Sequence, residues 1–239
     1  MPAVCTRRVS TMTTQRRVLF VLTSHDDLGG LRPTGFYVSE AAHPWHVLHA
    51  AGVRVDLASI AGGAPPQDGR DTDDPIQRGF LADPQVAVQL QDSPRLCDVD
   101  PASYDAVLFV GGHGTMWDFP ADPDVARLGR GIYEAGGIIA AVCHGPAALL
   151  NVTLSDGTFL IAGRAVGGFS DSEESAIGLT EVVPFLLADA LASRGATYTA
   201  GPDFTEHVVV DGRLITGQNP QSATRVGQEM LAQLVRIAS

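Results

Sequence analysis

The chain has 239 residues, 45% hydrophobic and 18% charged, so it is long and apolar enough to bury a core and does not read as intrinsically disordered. All sixteen basic residues are arginines, which excludes Schiff-base chemistry, a P-loop lysine and a lysine-anchored pyridoxal cofactor. The first seventeen residues carry +4 and the other 222 carry −15, a balance that disfavours nucleic acid and anionic membranes and favours a small neutral substrate or a protein partner.

Residues 1–17, with Arg7, Arg8, Arg16 and Arg17, predict a disordered basic tail, and Met12 is an alternative start. The apolar stretch after Arg17 has five residues, short of the roughly 7 to 15 in a signal peptide, and no run approaches the roughly 18 of a membrane span. Residues 18–239 then read as one domain. Strands are predicted at Val18 to Leu22, Val53 to Ala58, Ala106 to Val110 and Ile138 to Val142, with helical patterns between them. That alternation predicts an α/β fold with a parallel sheet flanked by helices. The segment Ala61 to Pro75, rich in Gly, Pro and Asp, predicts a long loop that is either a lid, an interface or plain solvated surface. Asp122-Pro123 marks the start of a crossover helix whose inner face is Val125, Leu128 and Ile132. Val208 to Val210 and Leu214 to Thr216 flank Asp211-Gly212, which predicts an antiparallel edge hairpin, and Asn219-Pro220 caps a final helix. Three cysteines, Cys5, Cys97 and Cys143, show no paired metal spacing, which fits a reduced, cytoplasmic setting.

The segment AVCHGPAALL places Cys143 where an apolar run ends and small helix-compatible residues begin. Such an elbow exposes a nucleophile above the C-terminal edge of a sheet, and the following helix dipole is expected to lower the thiol pKa. His144 adds an adjacent base, and its backbone N–H is a natural oxyanion donor. The alternative reading of Cys143 is a small buried hydrophobe. Gly111 to Gly114, GGHG, follows the Ala106 strand, where consecutive glycines let a ligand approach the backbone. The motif lacks the third glycine of a dinucleotide fingerprint. His113 is either a proton shuttle or a hydrogen-bonded loop histidine. Glu40, in GFYVSEAAHPW, is either a carboxyl drawn into an apolar pocket, with raised pKa, or a solvated helix-start acid. One of Glu173 and Glu174 is a candidate to orient His144 as a triad acid. His43 and His49, six residues apart, point about 120° away from each other on a helix. Together with His46 they are therefore read as surface or hydrogen-bonding residues, and no metal site is expected.

AVCHGPAAL, GGHG, GFYVSE and VVVDGRLITGQNPQSA together resemble the ThiJ/PfpI superfamily over nearly the whole chain after residue 17. The resemblance is closest to the branch of heat-shock chaperones that act as glutathione-independent glyoxalases, also called glyoxalase III or D-lactate dehydratases. It implies the flavodoxin-like three-layer sandwich of class I glutamine amidotransferases, a homodimer, and a 2-oxoaldehyde substrate such as methylglyoxal turned over without a cofactor. It further implies Cys143 as nucleophile, His144 and Glu174 as its base and acid, Glu40 as a protonated carboxyl against the thiol, and His113 in the glycine-histidine-glycine turn, with Gly112 and His144 giving backbone donors. Amidotransferases take their histidine and glutamate from a late His-x-Glu, whereas Glu206-His207 stands here in the wrong order. A holdase chaperone or redox sensor, and a cysteine peptidase or amidase, are the competing readings.

Overall fold

The computed structural model describes residues 15–237, and in it the predicted alternation becomes a six-stranded sheet between helices. The chain enters through β1 (Arg17–Leu22), in which Val18 to Leu22 are fully buried, as a parallel strand covered on both faces requires. Then come β2 (Phe36–Tyr37), α1 (Val38–Ala50), β3 (Arg54–Ser59) and β4 (Gln67–Asp68). Helices α2 (Pro75–Ala82) and α3 (Pro84–Gln91) each start with an aspartate cap before a proline. After β5 (Ala106–Phe109) and α4 (Thr115–Asp118), α5 (Pro123–Glu134) begins as read from the sequence, with the Asp122 carboxylate accepting from the N–H groups of Asp124 and Val125. β6 (Ile138–Val142) has the predicted bounds. The remaining elements are β7 (Ala165–Val166), α6 (Asp171–Ala176), α7 (Leu187–Ser193), β8 (Thr197–Tyr198), β9 (Val208–Asp211), β10 (Leu214–Gly217) and α8 (Ala223–Arg236).

The strand order is β3-β1-β5-β6-β10-β9, parallel throughout except for β9, which runs antiparallel to β10. Helices α1 and α8 pack on one another, and α5 packs against β5 and β6. No helix among the described residues is long and apolar enough to cross a membrane.

Four expectations shift. Arg16 and Arg17, assigned to the tail by charge, belong to the fold: Arg16 pairs with Asp105 at 2.5 Å and Arg17 with Asp56 at 2.7 Å, and these acids sit on the two sides of β1. Residues 1–14 of that tail lie outside the described residues. The hairpin turn moves by one residue, because Asp211 pairs with Leu214 and leaves Gly212 and Arg213 as the connection. Asn219 caps a short 3-10 turn, Pro220–Ser222, which runs into α8. The long loop of residues 61–75 contains β4, paired in parallel with β2, so its middle is tied to the segment that precedes α1.

Candidate active site

The candidate site forms at the C-terminal ends of β5 and β6, where open parallel sheets favour ligand binding. Beyond β6, Cys143 takes a left-handed backbone with φ +58°, one of two described non-glycine residues to do so. Its N–H donates to Gly217 O at 2.9 Å and its carbonyl accepts from Phe169 N–H at 2.8 Å, and these bonds hold the strained elbow. The sulfur lies 3.3 Å from His144 Nδ1, and His144 Nε2 lies 2.8 Å from Glu174 Oε2. The same carboxylate meets His113 Nε2 through Oε1 at 3.1 Å, so one acid holds two histidines whose ring centres are 4.1 Å apart. Glu174 stands in the first turn of α6, which Ser170 and Glu173 start with a reciprocal capping box. Of the adjacent glutamates, Glu174 is therefore the one that reaches His144. Glu173 instead accepts from Phe204 N–H and Asn219 Nδ2, both at 2.8 Å.

Glu40 comes from the first turn of α1 and is completely buried. Neither of its carboxyl oxygens has a partner in hydrogen-bonding geometry among the described residues. A Cβ on Gly111 would collide with Glu40 Oε2 and crowd Cys143 Cβ, which places the carboxyl beside the elbow and explains the glycine. A Cβ on Gly112 would likewise strike Gly35 O and Tyr37 N. The backbone N–H groups of Gly112 and His144 have no backbone acceptor among the described residues.

Burial holds Glu40 well above the usual carboxylate range, against the opposing pull of the Cys143 thiol and the Gly111 N–H. Burial also pushes the Cys143 thiol up, with a charge on Glu40 acting in the same direction. The lowered thiol pKa expected from a helix dipole is thus overturned. The helix after Cys143 is only a five-residue 3-10 segment, Gly145–Leu149, and desolvation outweighs it. In this coupled pair a single proton on Glu40 removes the charge that opposes a thiolate. His144 is brought down to about 4, first by burial and then by His113, so it is a neutral acceptor at pH 7. Burial acts to raise Glu174, but the hydrogen bonds from His113 and His144 prevail and bring it to about 2.

His43, His46 and His49 do not converge. His43 bonds Asp74 at 2.7 Å and Thr224 at 3.1 Å, His49 stacks on Trp45, and His46 is exposed. The donor set among the described residues that has the shape to hold a cation is His113, His144 and Glu174, whose ligand atoms lie within 4.8 Å of one another.

A cavity of about 360 Å³ opens over Cys143. Its walls include Arg32, Tyr37, Asp68, Phe169, Leu179 and Phe204, none of which the sequence analysis singled out. The usable signal was Phe169, which immediately precedes the capping-box residue Ser170. Asp68, from the long loop, meets Arg32 at 2.8 Å at this pocket. Another cavity, about 490 Å³, is lined by Trp45, His49, Arg54 and Asp83 among others and holds no nucleophile.

The sequence signature of the DJ-1/PfpI family matches residues 31–165, more than half of the chain. The chain belongs to the DJ-1/PfpI family. Among its relatives is Glyoxalase 3 of Candida albicans, 32% identical over 90% of this chain and 97% of that protein. The glutathione-independent glyoxalase HSP31 of Saccharomyces cerevisiae is also 32% identical, over 87% and 93%. Among solved structures, the rapid encystment protein REP24 of Francisella tularensis superimposes with a TM-score of 0.89 at 40% identity, covering 92% of this chain and 99% of that one. The DJ-1/PfpI fold is flavodoxin-like, with the antiparallel edge pair seen here in β9 and β10.

Proposed function

We propose that the protein is a glutathione-independent glyoxalase that converts methylglyoxal and water to D-lactate through Cys143. The observation that carries this reading is the row Cys143, His144 and Glu174 joined at 3.3 and 2.8 Å, with a second, proton-holding carboxyl at Glu40 buried against the same sulfur. The names of the relatives support it.

The sulfur attacks the aldehyde carbon C1 and the thiol proton passes through His144 Nδ1 to the new oxygen, giving a hemithioacetal. While that oxygen is charged, the N–H groups of Gly112 and His144 stabilise it. His144, again neutral, removes the proton from C1. The electron pair moves onto the C2 carbonyl oxygen, which takes up the proton held by His144 to give an enediol, and Glu40 or His113 then supplies a proton to C2 and takes back the proton of the C1 hydroxyl. Collapse at C1 gives a thioester, and water cleaves it to release lactate and the thiol. C1 loses two electrons and C2 gains them, so the reaction consumes no oxidant or reductant and needs no redox cofactor. A peptidase would have no use for the C2 proton donor, which favours isomerisation over amide hydrolysis.

The test is D-lactate formation from methylglyoxal by metal-free, glutathione-free protein. Cys143→Ala is expected to lower the rate by roughly 10⁴-fold or more with an unchanged circular dichroism spectrum. A folded variant with the wild-type rate overturns the proposal.

A further inference from the structure

The pocket is larger and more apolar than a three-carbon aldehyde requires. Its volume of about 360 Å³ falls in the range of roughly 300 to 1,000 Å³ that accommodates drug-sized ligands. Its apolar wall is largely aromatic: the His144 ring lies tilted with its centre 4.5 Å from that of Phe169, and Phe169 stands 6.4 Å from Phe204. A row of rings thus runs from the catalytic base to the rim, with Leu179 and Ile177 beside it. At the rim, Phe204 and Ile177 remain 41% and 42% exposed.

Phe204 is also the second non-glycine residue with a left-handed backbone, at φ +54°. Such a conformation is costly for an aromatic residue and persists where its surroundings impose it. Here the buried Glu173 carboxylate accepts the Phe204 N–H at 2.8 Å. The strain has no role in the core, since the ring it positions lines the pocket. The polar wall argues against an anionic substituent. The single arginine lining this pocket, Arg32, is already neutralised by Asp68 at 2.8 Å.

We propose that the Phe169–Leu179–Phe204 wall is a subsite for the group attached to the ketone carbon, and that the protein prefers 2-oxoaldehydes with an aryl or bulky apolar substituent over methylglyoxal. This rests on the glyoxalase reading above and uses the same chemistry. An arylglyoxal and water give the 2-hydroxy-2-aryl acid, with C1 oxidised and C2 reduced by the same electron pair.

The experiment compares initial rates on phenylglyoxal and methylglyoxal, read as mandelate and lactate, for the wild type, Phe204→Ala and Leu179→Ala, with Cys143→Ala as blank. The wild type is expected to show a kcat/KM at least tenfold higher on phenylglyoxal, a preference on the scale that apolar pockets achieve. In each wall variant the phenylglyoxal-to-methylglyoxal ratio should fall several-fold, through KM more than kcat. Using two variants guards against one that fails to fold. Cysteine-dependent turnover of methylglyoxal with a ratio at or below one, or a ratio that neither variant moves, overturns the subsite and leaves the glyoxalase reading standing. Turnover of neither aldehyde by folded protein overturns both.

Discussion

Glu40, reaching Cys143 from α1, and Glu174, reaching His144 from α6, are equally hidden from water at 0% and 3% exposure, yet their protons are held in opposite ways. At Glu174 two histidines donate to the two oxygens, and these bonds overcome desolvation. At Glu40 neither oxygen has a well-aligned donor, and desolvation prevails. Exclusion from water alone therefore does not decide which way a carboxyl's proton affinity shifts; hydrogen bonds aligned on its oxygens oppose the desolvation. In the proposed mechanism this places an anion behind the base and a proton donor beside the nucleophile, the two roles an internal proton transfer needs.

Of the two carboxyls, the anion is the one whose loss should cost more. Glu174→Gln leaves an amide that can accept from only one of His113 and His144, and it frees the other ring to adopt the wrong tautomer. The rate on methylglyoxal should fall by roughly 10³- to 10⁴-fold. Steady-state kinetics with a measured KM check this, since a fall in KM alone would contradict it.

Breaking the Glu40 side should cost less in rate and add stability. Glu40→Gln keeps the shape and removes the proton donor, and turnover should drop by roughly 10²-fold. In the wild type the native state holds the Glu40 proton above the pH at which the unfolded chain releases it, so stability falls as pH rises through the raised Glu40 pKa. The Gln variant lacks that loss. Its melting temperature should exceed that of the wild type increasingly as pH rises above the ordinary carboxylate range, and scanning calorimetry across that rise tests the sign.

The acid side sharpens the same contrast. His144 titrates near 4 in the fold and near 6.5 when unfolded, so the unfolded chain binds the extra proton and stability falls as pH drops from about 6.5 to 4. Glu174, at about 2 in the fold against 4.5, extends that loss below pH 4.5. Denaturant titrations between pH 7 and 3 should show a declining midpoint, with a shallower decline below pH 4.5 in Glu174→Gln.

The sheet and the elbow were legible because their signals are local. A strand buried on both faces must be an unbroken apolar run, as in Val18 to Leu22 and Ile138 to Val142, and Cys143 at a strand end has His144 and Gly145 next to it in the chain. What escaped depends on long-range packing. Sequence shows a helix start after Cys143 but not that the thiol is 4% exposed, which is why the expected pKa direction was reversed. Phe204 and Leu179 come from separate loops with no motif, and only the folded chain brings them to Cys143. Adjacent glutamates also look alike in local sequence; the resemblance singled out Glu174, and the capping box shows how α6 turns Glu173 one way and Glu174 the other.

That pair supplies the smallest effect on catalysis and the closest control. Glu173 is as buried as Glu174 and accepts more bonds, from Ser170 N–H and Oγ, Phe204 N–H and Asn219 Nδ2, but none comes from a residue of the proposed catalytic row. In Glu173→Gln one oxygen becomes a donor facing other donors, at a cost of about 1 to 3 kcal/mol in stability. The melting temperature should fall by several degrees, while kcat on methylglyoxal stays within about threefold of the wild type. A kcat loss approaching that of Glu174→Gln would show that the division between a structural and a catalytic glutamate on α6 is wrong. Because Glu173 also fixes the Phe204 backbone, the same variant should raise KM for phenylglyoxal more than for methylglyoxal, which ties the strained rim to the carboxylate beneath it.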